Sequence, residues 1–330
     1  MTVKDIARVA EVSPMTVSRV LSGGKNVRPA LREHVERVIA DLGYHRNENA
    51  RSLRPGQRSG LIGVLITNIG NPYYAGVVQG IEQVVAGTGR RILVATTNED
   101  PDLERQLLSD FLGRQVEGLV VVPVGQDTER FASVRRNDVP LVLASRTVPE
   151  VAADAVLIDD VHGACEATAL MLESGHRRIA FLGNKVTVST GQRRLRGFRD
   201  AFADHDAEPD EDLVVLGLQD TEAAEDAMRD LLTLPDPPSA VFAANNRIST
   251  GAIRAIAKAT AAGTLPTPPR LSAFDSFDFA DMAPIPLSVI DHDPAELGRV
   301  AARMLLSRLD GSAEGEEPRL VELPVHLVHH

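Results

Sequence analysis

The sequence of 330 residues has one cysteine, no tryptophan and only 4% aromatic residues. The single thiol, Cys165, excludes an internal disulfide framework. No uninterrupted apolar run approaches the roughly 20 residues that a membrane-spanning helix needs, which predicts that the protein has no membrane partner. The first residues also lack the apolar segment of a secretion signal, so we expect the chain to remain in the cytoplasm.

Sequence signatures of common enzymes are missing as well. Neither G-x-G-x-x-G nor G-x-x-x-x-G-K-[ST] follows the first predicted strand, Leu61 to Ile66, which argues against a dinucleotide-dependent enzyme. We find no serine, histidine and acid set with a known local signature, and the adjacent His329 and His330 cannot form a tetrahedral metal site. We therefore predict a binding protein that is not an enzyme and needs neither a cofactor nor a metal.

The charge is distributed unevenly along the chain. The formal net charge is −11, but residues 1–58 carry 11 Lys and Arg against 6 Asp and Glu, a balance of +5. The remaining 24 basic and 40 acidic residues give −16. A basic head on an acidic body confines affinity for phosphate to one end of the chain. A balance of +5 is also compatible with an ordinary solvated surface, so the charge alone does not identify a nucleic-acid partner.

The head has the pattern of three short helices. Thr2 is a suitable N-cap for a helix over Val3 to Ala10. Ser13 caps a second helix over Pro14 to Leu21, in which proline occupies the first position at no cost in hydrogen bonds. A third amphipathic helix is predicted over Pro29 to Leu42. The short connection between the first two helices predicts a helix-turn-helix, although a helical hairpin in an unrelated bundle would show the same pattern.

The outer face of the second helix has side chains that suit a DNA major groove. In a helix-turn-helix, the N-terminal residues of the second helix face the base edges. Arg19 is able to contact guanine through two hydrogen bonds, and Pro14 and Met15 offer apolar contact to a thymine methyl group. The hydroxyl groups that suit phosphate oxygens are those of Ser13, Thr16 and Ser18.

From Leu61 onward, short apolar strands alternate with helical segments in two series. The strands are predicted over residues 61–66, 91–96, 118–122, 141–144 and 156–158, and then over 179–182, 213–216, 240–244, 271–274 and 287–290. This alternation predicts an α/β fold with two doubly wound lobes that bind a ligand where the carboxyl ends of their strands meet. The predicted boundaries are 1–46 for the head, 47–59 for a hinge helix and linker, and 60–330 for the body, whose lobes span 60–159 with 291–318 and 160–290 with 319–330.

Several short motifs occur in a fixed order along the chain. The head contains residues 2–7 (TVKDIA), 12–13 (VS), 16–21 (TVSRVL), 42–44 (LGY) and 50–53 (ARSL). The body contains residues 71–74 (NPYY), 175–180 (GHRRIA), 194 (R), 197–198 (GF), 274–275 (FD) and 297–298 (LG). Over nearly the whole chain these motifs resemble the LacI/GalR family of bacterial repressors, whose members join a helix-turn-helix domain to a two-lobed effector domain similar to periplasmic binding proteins.

The resemblance implies a homodimer that binds double-stranded operator DNA. It identifies the stretch Asn47 to Arg54 as a hinge helix that becomes ordered on DNA, with Leu53 of each subunit inserted into the minor groove. Such an apolar wedge kinks the duplex, and a two-fold dimer reads a palindrome. The predicted DNA-binding residues are Thr2, Ser13, Pro14, Met15, Thr16, Ser18, Arg19, Asn26, Tyr44, Asn47, Ala50, Arg51, Leu53 and Arg54.

The resemblance also implies a cleft for a small-molecule effector in the body. Ser145 and Asn246 stand where sugar-binding members of the family typically have carboxylates, while Arg194 and Asp275 are retained. We therefore hypothesise that the cleft tolerates a sugar acid, a sugar phosphate or a less hydroxylated ligand better than a plain sugar. Arg194 and Asp275 could instead only brace the lobe. The predicted effector-binding residues are Tyr73, Tyr74, Ser145, Arg146, Ser189, Thr190, Arg194, Asn245, Asn246, Asp275 and His292.

Two functions remain open for a chain with this body. A soluble solute-binding protein would have the same two lobes, because the fold alone does not determine function. The head favours the other function, a cytoplasmic, nucleoid-associated regulator. We predict a repressor whose affinity for the operator is controlled by an effector. The control arises because the effector binds two conformations of the protein with different affinities.

Overall fold

The computed structural model describes residues 2–21, 27–44 and 59–330. The chain divides into two compact units, Met1–Ser59 and Gly60–His330, so the break falls where the predicted linker ends. The predicted hinge residues 47–58 lie outside the described residues. Among the described residues, no helix combines the length and the apolar character that a membrane crossing requires.

The first unit contains three helices in its described part. They are α1 (Val3–Val9), α2 (Pro14–Leu21) and α3 (Pro29–Asp41). Each contributes a fully buried side chain to a small common core, namely Ile6, Val17 and Val35. Because the apolar face of each short helix is covered by the other two, helices that would be marginal alone are stable together.

Side-chain caps determine where the first two helices begin. The Thr2 hydroxyl accepts a hydrogen bond from the Asp5 N–H, and the Asp5 carboxylate accepts one from the Thr2 N–H, which completes a capping box. The Thr16 N–H donates to Ser13 Oγ over 3.1 Å at the start of α2. The caps predicted at Thr2 and Ser13 are both present.

The second unit consists of two lobes, each with a six-stranded sheet. The strands are β1 (Leu61–Ile66), β2 (Arg91–Thr96), β3 (Gly118–Val121), β4 (Leu141–Ala144), β5 (Asp154–Ile158), β6 (Ile179–Leu182), β7 (Val214–Val215), β8 (Ala240–Ala243), β9 (Arg270–Phe274), β10 (Leu287–Asp291), β11 (Leu320–Leu323) and β12 (His326–His329). The order is β11-β5-β4-β3-β1-β2 in the N-lobe and β12-β10-β9-β8-β6-β7 in the C-lobe. Every pair is parallel except β10 with β12, so the carboxyl ends of six strands share one edge in the N-lobe and those of five neighbouring strands share one edge in the C-lobe.

Eight helices in the described part of this unit cover the two sheets. They are α4 (Pro72–Val85), α5 (Pro101–Gly113), α6 (Ala132–Arg136), α7 (Asp160–Glu173), α8 (Ser189–Asp204), α9 (Thr221–Leu232), α10 (Asn246–Ala261) and α11 (Pro294–Leu309). In the N-lobe, α4 and α11 lie so close that a Cβ atom at Gly80 would overlap the Ala295 carbonyl oxygen, and one at Gly298 would overlap the Val77 carbonyl oxygen. Glycine at these two positions therefore permits the helix pair.

The chain crosses between the lobes three times, and the last crossing corrects one predicted boundary. The crossings follow β5, β10 and β11. Residues 319–330 were expected to belong entirely to the C-lobe, but Leu320–Leu323 pairs in parallel with β5 in the N-lobe sheet. Pro324 separates β11 from β12, and the two short strands consequently join different sheets.

The Asp154 carboxylate holds the edge strand β11 to its neighbour. Asp154 Oδ1 accepts hydrogen bonds of 2.8 Å from Arg308 Nη2 and from the Arg319 N–H. Burial alone would raise the pKa of Asp154, but these hydrogen bonds hold that pKa below its ordinary value of 3.8. A carboxylate whose pKa is lowered by folding stabilises the protein at pH values above its ordinary pKa. This stability is lost as the pH falls through the pKa of the folded state.

We expect Asp154→Asn to lower the free energy of unfolding by about 2 kcal/mol at neutral pH, because the charge-assisted hydrogen bonds weaken. The difference from the wild type should shrink as the pH falls below 3.8. Urea unfolding across this pH range measures both effects. Asp138→Asn, at an exposed carboxylate with a φ of 51° that asparagine tolerates, is the control. Equal losses in the two variants would contradict this role of Asp154.

Candidate effector cleft and nucleic-acid interface

A cleft of about 580 Å³ lies between the two lobes of the second unit. Its walls come from the loops that follow β1, β2, β3 and β4 in the N-lobe, and β6, β7, β8 and β9 in the C-lobe. This is the edge at which ligands bind in open parallel sheets. Its volume is in the range of small-molecule sites.

Eight of the eleven predicted effector residues line this cleft. They are Tyr73, Tyr74, Ser145, Arg146, Thr190, Arg194, Asn245 and Asp275. The other three, Ser189, Asn246 and His292, are not among the lining residues. Ser189 and Asn246 make contacts between the lobes, whereas His292 is buried behind the cleft wall.

Ser145 and Asp275 occupy equivalent positions in the two lobes. Each directly follows a strand, and each has a left-handed backbone, with φ of 64° and 65°. This conformation is uncommon for residues other than glycine and occurs preferentially at functional sites. Ser145 Oγ is 2.7 Å from the Tyr73 hydroxyl group, and burial raises the pKa of that phenol.

The guanidinium of Arg194 is buried in the floor of the cleft. Arg194 Nε donates to Asp160 Oδ1 over 2.8 Å, and Nη1 donates to the Ala244 carbonyl over 2.5 Å. Longer bonds of 3.3 and 3.4 Å reach the Asp275 carboxylate. The guanidinium carbon also lies 3.6 Å from the centroid of the Phe274 ring. Arg194 is therefore occupied within the C-lobe by two carboxylates, a carbonyl and an aromatic face.

Asp160 is the most deeply buried carboxylate of this network. Its two oxygens face Arg194 at 2.8 Å and Arg193 at 3.3 Å. Burial raises the pKa of Asp160, and the two guanidiniums oppose this shift because they favour the ionised form. The two ion pairs place the carboxylate where it compensates the charge of Arg194.

On the N-lobe side, Arg146 is paired in a similar way. Its two Nη atoms donate to the two oxygens of Glu99 over 2.8 and 2.9 Å, a bidentate pair. Arg146 Nη2 also donates to the Tyr74 hydroxyl over 3.1 Å. Sequence reasoning identified the arginine but missed Glu99.

Fourteen further polar lining residues were not predicted. They are Thr67, Asn68, Asn71, Asn98, Glu99, Gln126, Asp127, Arg130, Asn184, Lys185, Thr187, Gln219, Asp220 and Arg247. All of them lie in the segments that follow the carboxyl ends of strands. This position is a signal that could have identified them from the predicted strands alone. The resemblance pointed only to positions with a known role in other members.

Amide and hydroxyl groups join the two lobes. Asn71 and Asn246 donate to each other over 3.3 and 2.8 Å. Gln126 donates to Gln192 over 3.0 Å, and the Ser189 hydroxyl accepts from the Thr147 N–H over 3.4 Å. None of these hydrogen bonds involves a charged group, so each contributes on the order of 1 kcal/mol. A charged contact also joins the lobes, because Arg193 in α8 pairs with Glu322 in β11.

His292 lies where the second crossing leaves the C-lobe. Its ring centroid is 5.5 Å from that of Tyr73 in the N-lobe, and its Nε2 is 3.9 Å from Asp275 Oδ1. Neither ring nitrogen has a hydrogen-bond partner within the described residues. Burial lowers the pKa of His292, so the ring is neutral at neutral pH and packs between the lobes.

In the described part of the first unit, the outer face of α2 combines apolar and polar side chains. Met15 is 64% exposed, and Pro14 and Arg19 are exposed as well. Thr16 and Ser18 are half-buried, while Tyr44 packs against the core of the unit. Asn26, Asn47, Ala50, Arg51, Leu53 and Arg54 lie outside the described residues, so their DNA-binding roles stay predictions.

Comparison with known families gives one match for each unit. Residues 2–47 match the model described as bacterial regulatory proteins, lacI family. Residues 59–330 match the model described as periplasmic binding proteins and sugar binding domain of LacI family. Together the two models account for nearly the whole chain.

Individual relatives agree with these matches. The ribose operon repressor of Haemophilus influenzae is 31% identical, over 97% of this chain and 96% of its own. A solved complex of the transcriptional regulator CelR with cellobiose is 31% identical with a TM-score of 0.73, over 100% of this chain and 99% of its own. A lac repressor dimer bound to operator and the anti-inducer ONPF shares the fold, with 23% identity and a TM-score of 0.82, over 99% of this chain and 97% of its own. This chain belongs to the LacI family of bacterial regulatory proteins.

Proposed function

We propose that this protein is a transcription repressor of the bacterial cytoplasm, without enzymatic activity, whose affinity for a palindromic operator depends on a bound effector. The observation that carries the proposal is the presence, in one chain, of a helix-turn-helix unit, whose second helix exposes Pro14, Met15 and Arg19, and a two-lobed unit with a polar cleft. A solute-binding protein without DNA activity would need only the second of these.

The contacts between the lobes support control by closure of the cleft. The three crossings allow the lobes to move relative to each other, and the neutral contacts at their junction are individually weak. An effector that binds one degree of closure better shifts the population toward it. A difference of about 1–3 kcal/mol in effector affinity between two conformations then changes operator affinity by the same free energy.

A homodimer fits both the operator and the surface of the C-lobe. Phe279 and Met282 are 75% and 72% exposed in the short segment between β9 and β10. Large apolar side chains at such exposure are typical of surfaces that another protein covers. A second copy of the chain on this surface would provide the two-fold symmetry that a palindrome requires.

The lining of the cleft favours a polyhydroxylated effector. Five asparagines and two glutamines line it, and each amide offers both donors and an acceptor for hydroxyl groups. The Asp275 carboxylate is an acceptor for hydroxyl protons beside them. The solved relative CelR contains cellobiose, and a solved LacI family regulator from Enterococcus faecium contains ribose.

We expect Arg19→Ala to weaken binding to the specific operator by about 1–3 kcal/mol and to relax specificity at one base pair in each half-site. The physical reason is the loss of a bidentate contact to guanine. Fluorescence anisotropy with operator and with random duplexes measures the two affinities. Equal losses on both duplexes would show that Arg19 contacts only phosphate.

We expect Asp275→Asn to lower effector affinity about tenfold or more, because hydrogen bonds to a charged acceptor contribute about 1.5–3 kcal/mol. A thermal-shift screen of sugars, sugar acids, sugar phosphates and purines identifies an effector, and calorimetry then compares the variants. Asp278→Asn is the matched control, because Asp278 is exposed nearby and does not line the cleft. Unchanged effector affinity in Asp275→Asn would remove Asp275 from the effector site.

A further inference from the structure

The cleft contains five cationic side chains, and three of them are already paired with carboxylates. Arg146 is held by Glu99 and Arg194 by Asp160 and Asp275, as described above. Arg130 Nη1 lies 2.9 Å from Glu104 Oε2, and both side chains are buried. The charge of each arginine is therefore opposed by a carboxylate within the protein. Arg130 Nη2 has no hydrogen-bond partner in the described residues, but it is buried.

The two remaining cations are Lys185 and Arg247. Both line the cleft, and neither forms an ion pair or a hydrogen bond through its side chain in the part of the chain that the structure describes. They follow β6 and β8, which are neighbours in the C-lobe sheet. A hydrogen bond of 3.0 Å from Asn245 Nδ2 to Asn184 Oδ1 joins the two loops. Lys185 and Arg247 are thus next to a fixed contact, on the same wall of the cleft.

The backbone around these cations adds to the positive potential. The sixteen-residue helix α8 begins at Ser189, four residues after Lys185, without a side-chain cap and without an acid in its first turn. The sixteen-residue helix α10, whose second residue is Arg247, also has no acid in its first turn. The C-lobe carboxylates that line the cleft are Asp220, which accepts a hydrogen bond from the Ala223 N–H at the start of α9, and Asp275, which is paired with Arg194. The two helix N-termini and the two unpaired cations are therefore opposed by one capping carboxylate that has no ion pair in the described residues.

We propose that the effector carries an anionic group, a phosphate or a carboxylate, which Lys185 and Arg247 bind at the C-lobe wall of the cleft. This inference rests on the proposed function of the cleft as the effector site. It changes the hypothesis drawn from the sequence in one respect, since the retained Arg194 is occupied by Asp160 and Asp275 and is replaced by Lys185 and Arg247 as the anion contact. The amide-lined remainder of the cleft binds the hydroxyl groups of the same ligand.

Calorimetry on the full chain with matched neutral and anionic ligands tests this proposal. The probes are glucose with glucose 6-phosphate and gluconate, ribose with ribose 5-phosphate and ribonate, and inorganic phosphate alone. We expect at least one anionic sugar to bind about tenfold or more tightly than its neutral parent, with a preference that decreases as salt screens the charges. The phosphate and the carboxylate members of each set distinguish the two sources of the anion.

The double variant Lys185→Gln with Arg247→Gln locates the anion contact. We expect it to lower the affinity for the preferred anionic sugar about tenfold more than the affinity for its neutral parent. Arg114→Gln, at an exposed arginine outside the cleft, is the matched control and should leave the preference unchanged. Thermal unfolding of all variants checks that each is folded.

Three results would overturn the proposal. The first is a neutral sugar that binds as tightly as its anionic derivatives. The second is a double variant that keeps the wild-type preference for the anionic sugar. The third is the failure of every anionic probe to bind. Operator binding by the wild type is measured in parallel by fluorescence anisotropy. Its absence would contradict the proposed function, so the two failures are distinguishable.

Discussion

The ion pairs of the buried Arg194 guanidinium with Asp160 and Asp275 are the interactions on which the cleft depends. The guanidinium connects the first crossing between the lobes, through Asp160, to the carboxyl ends of β8 and β9, through Ala244 and Asp275. A buried charge is tolerated only when its partners compensate it. Removing either carboxylate would leave a partly uncompensated cation beneath the cleft. The positions of Phe274 and Asp275 therefore follow from the same network that keeps the floor of the cleft in place.

The contrast between this floor and the junction of the lobes explains how the cleft could be both well formed and able to move. Within the C-lobe the contacts are charged and buried, and they cost several kcal/mol to break. Between the lobes the contacts at Asn71, Gln126 and Ser189 are neutral hydrogen bonds, which water replaces at little cost. The ion pair of Arg193 with Glu322 also joins the lobes, but it is partly exposed and therefore weaker than the buried pairs. Closure therefore changes the junction and leaves each wall intact, as rigid-body control of a binding site requires.

Much of the fold follows from periodicity in the sequence. The strands of both lobes are apolar runs bounded by turn residues, and their predicted limits agree with the structure within one or two residues. The edge strands β11 and β12 were not predicted, because a strand of four residues is too short to show a clear alternation of apolar and polar residues. Which sheet they join depends on tertiary contacts such as the one between Arg319 and Asp154.

The sequence predicts cleft residues where their role follows from a position directly after a strand. Ser145 and Asp275 are examples, since both follow strands directly and line the cleft. The pairing of Arg194 with Asp160 was not predictable, because the two residues are 34 positions apart in the sequence. The same holds for Arg146 and Glu99, which are 47 positions apart. Which arginine is available to a ligand depends on these pairs, and the sequence alone does not show them.

The separation of charge along the chain links the two functions. The second unit carries most of the excess of acidic residues, and its net negative charge opposes contact with DNA phosphates, so operator affinity is confined to the basic head. The same acidic surface would repel an anionic effector at long range. An anion therefore binds only where local cations and helix N-termini outweigh the general field, and the wall that contains Lys185 and Arg247 provides that local excess. The acidic second unit is therefore able to bind a small anion in its cleft while its surface continues to repel DNA, which is a large anion.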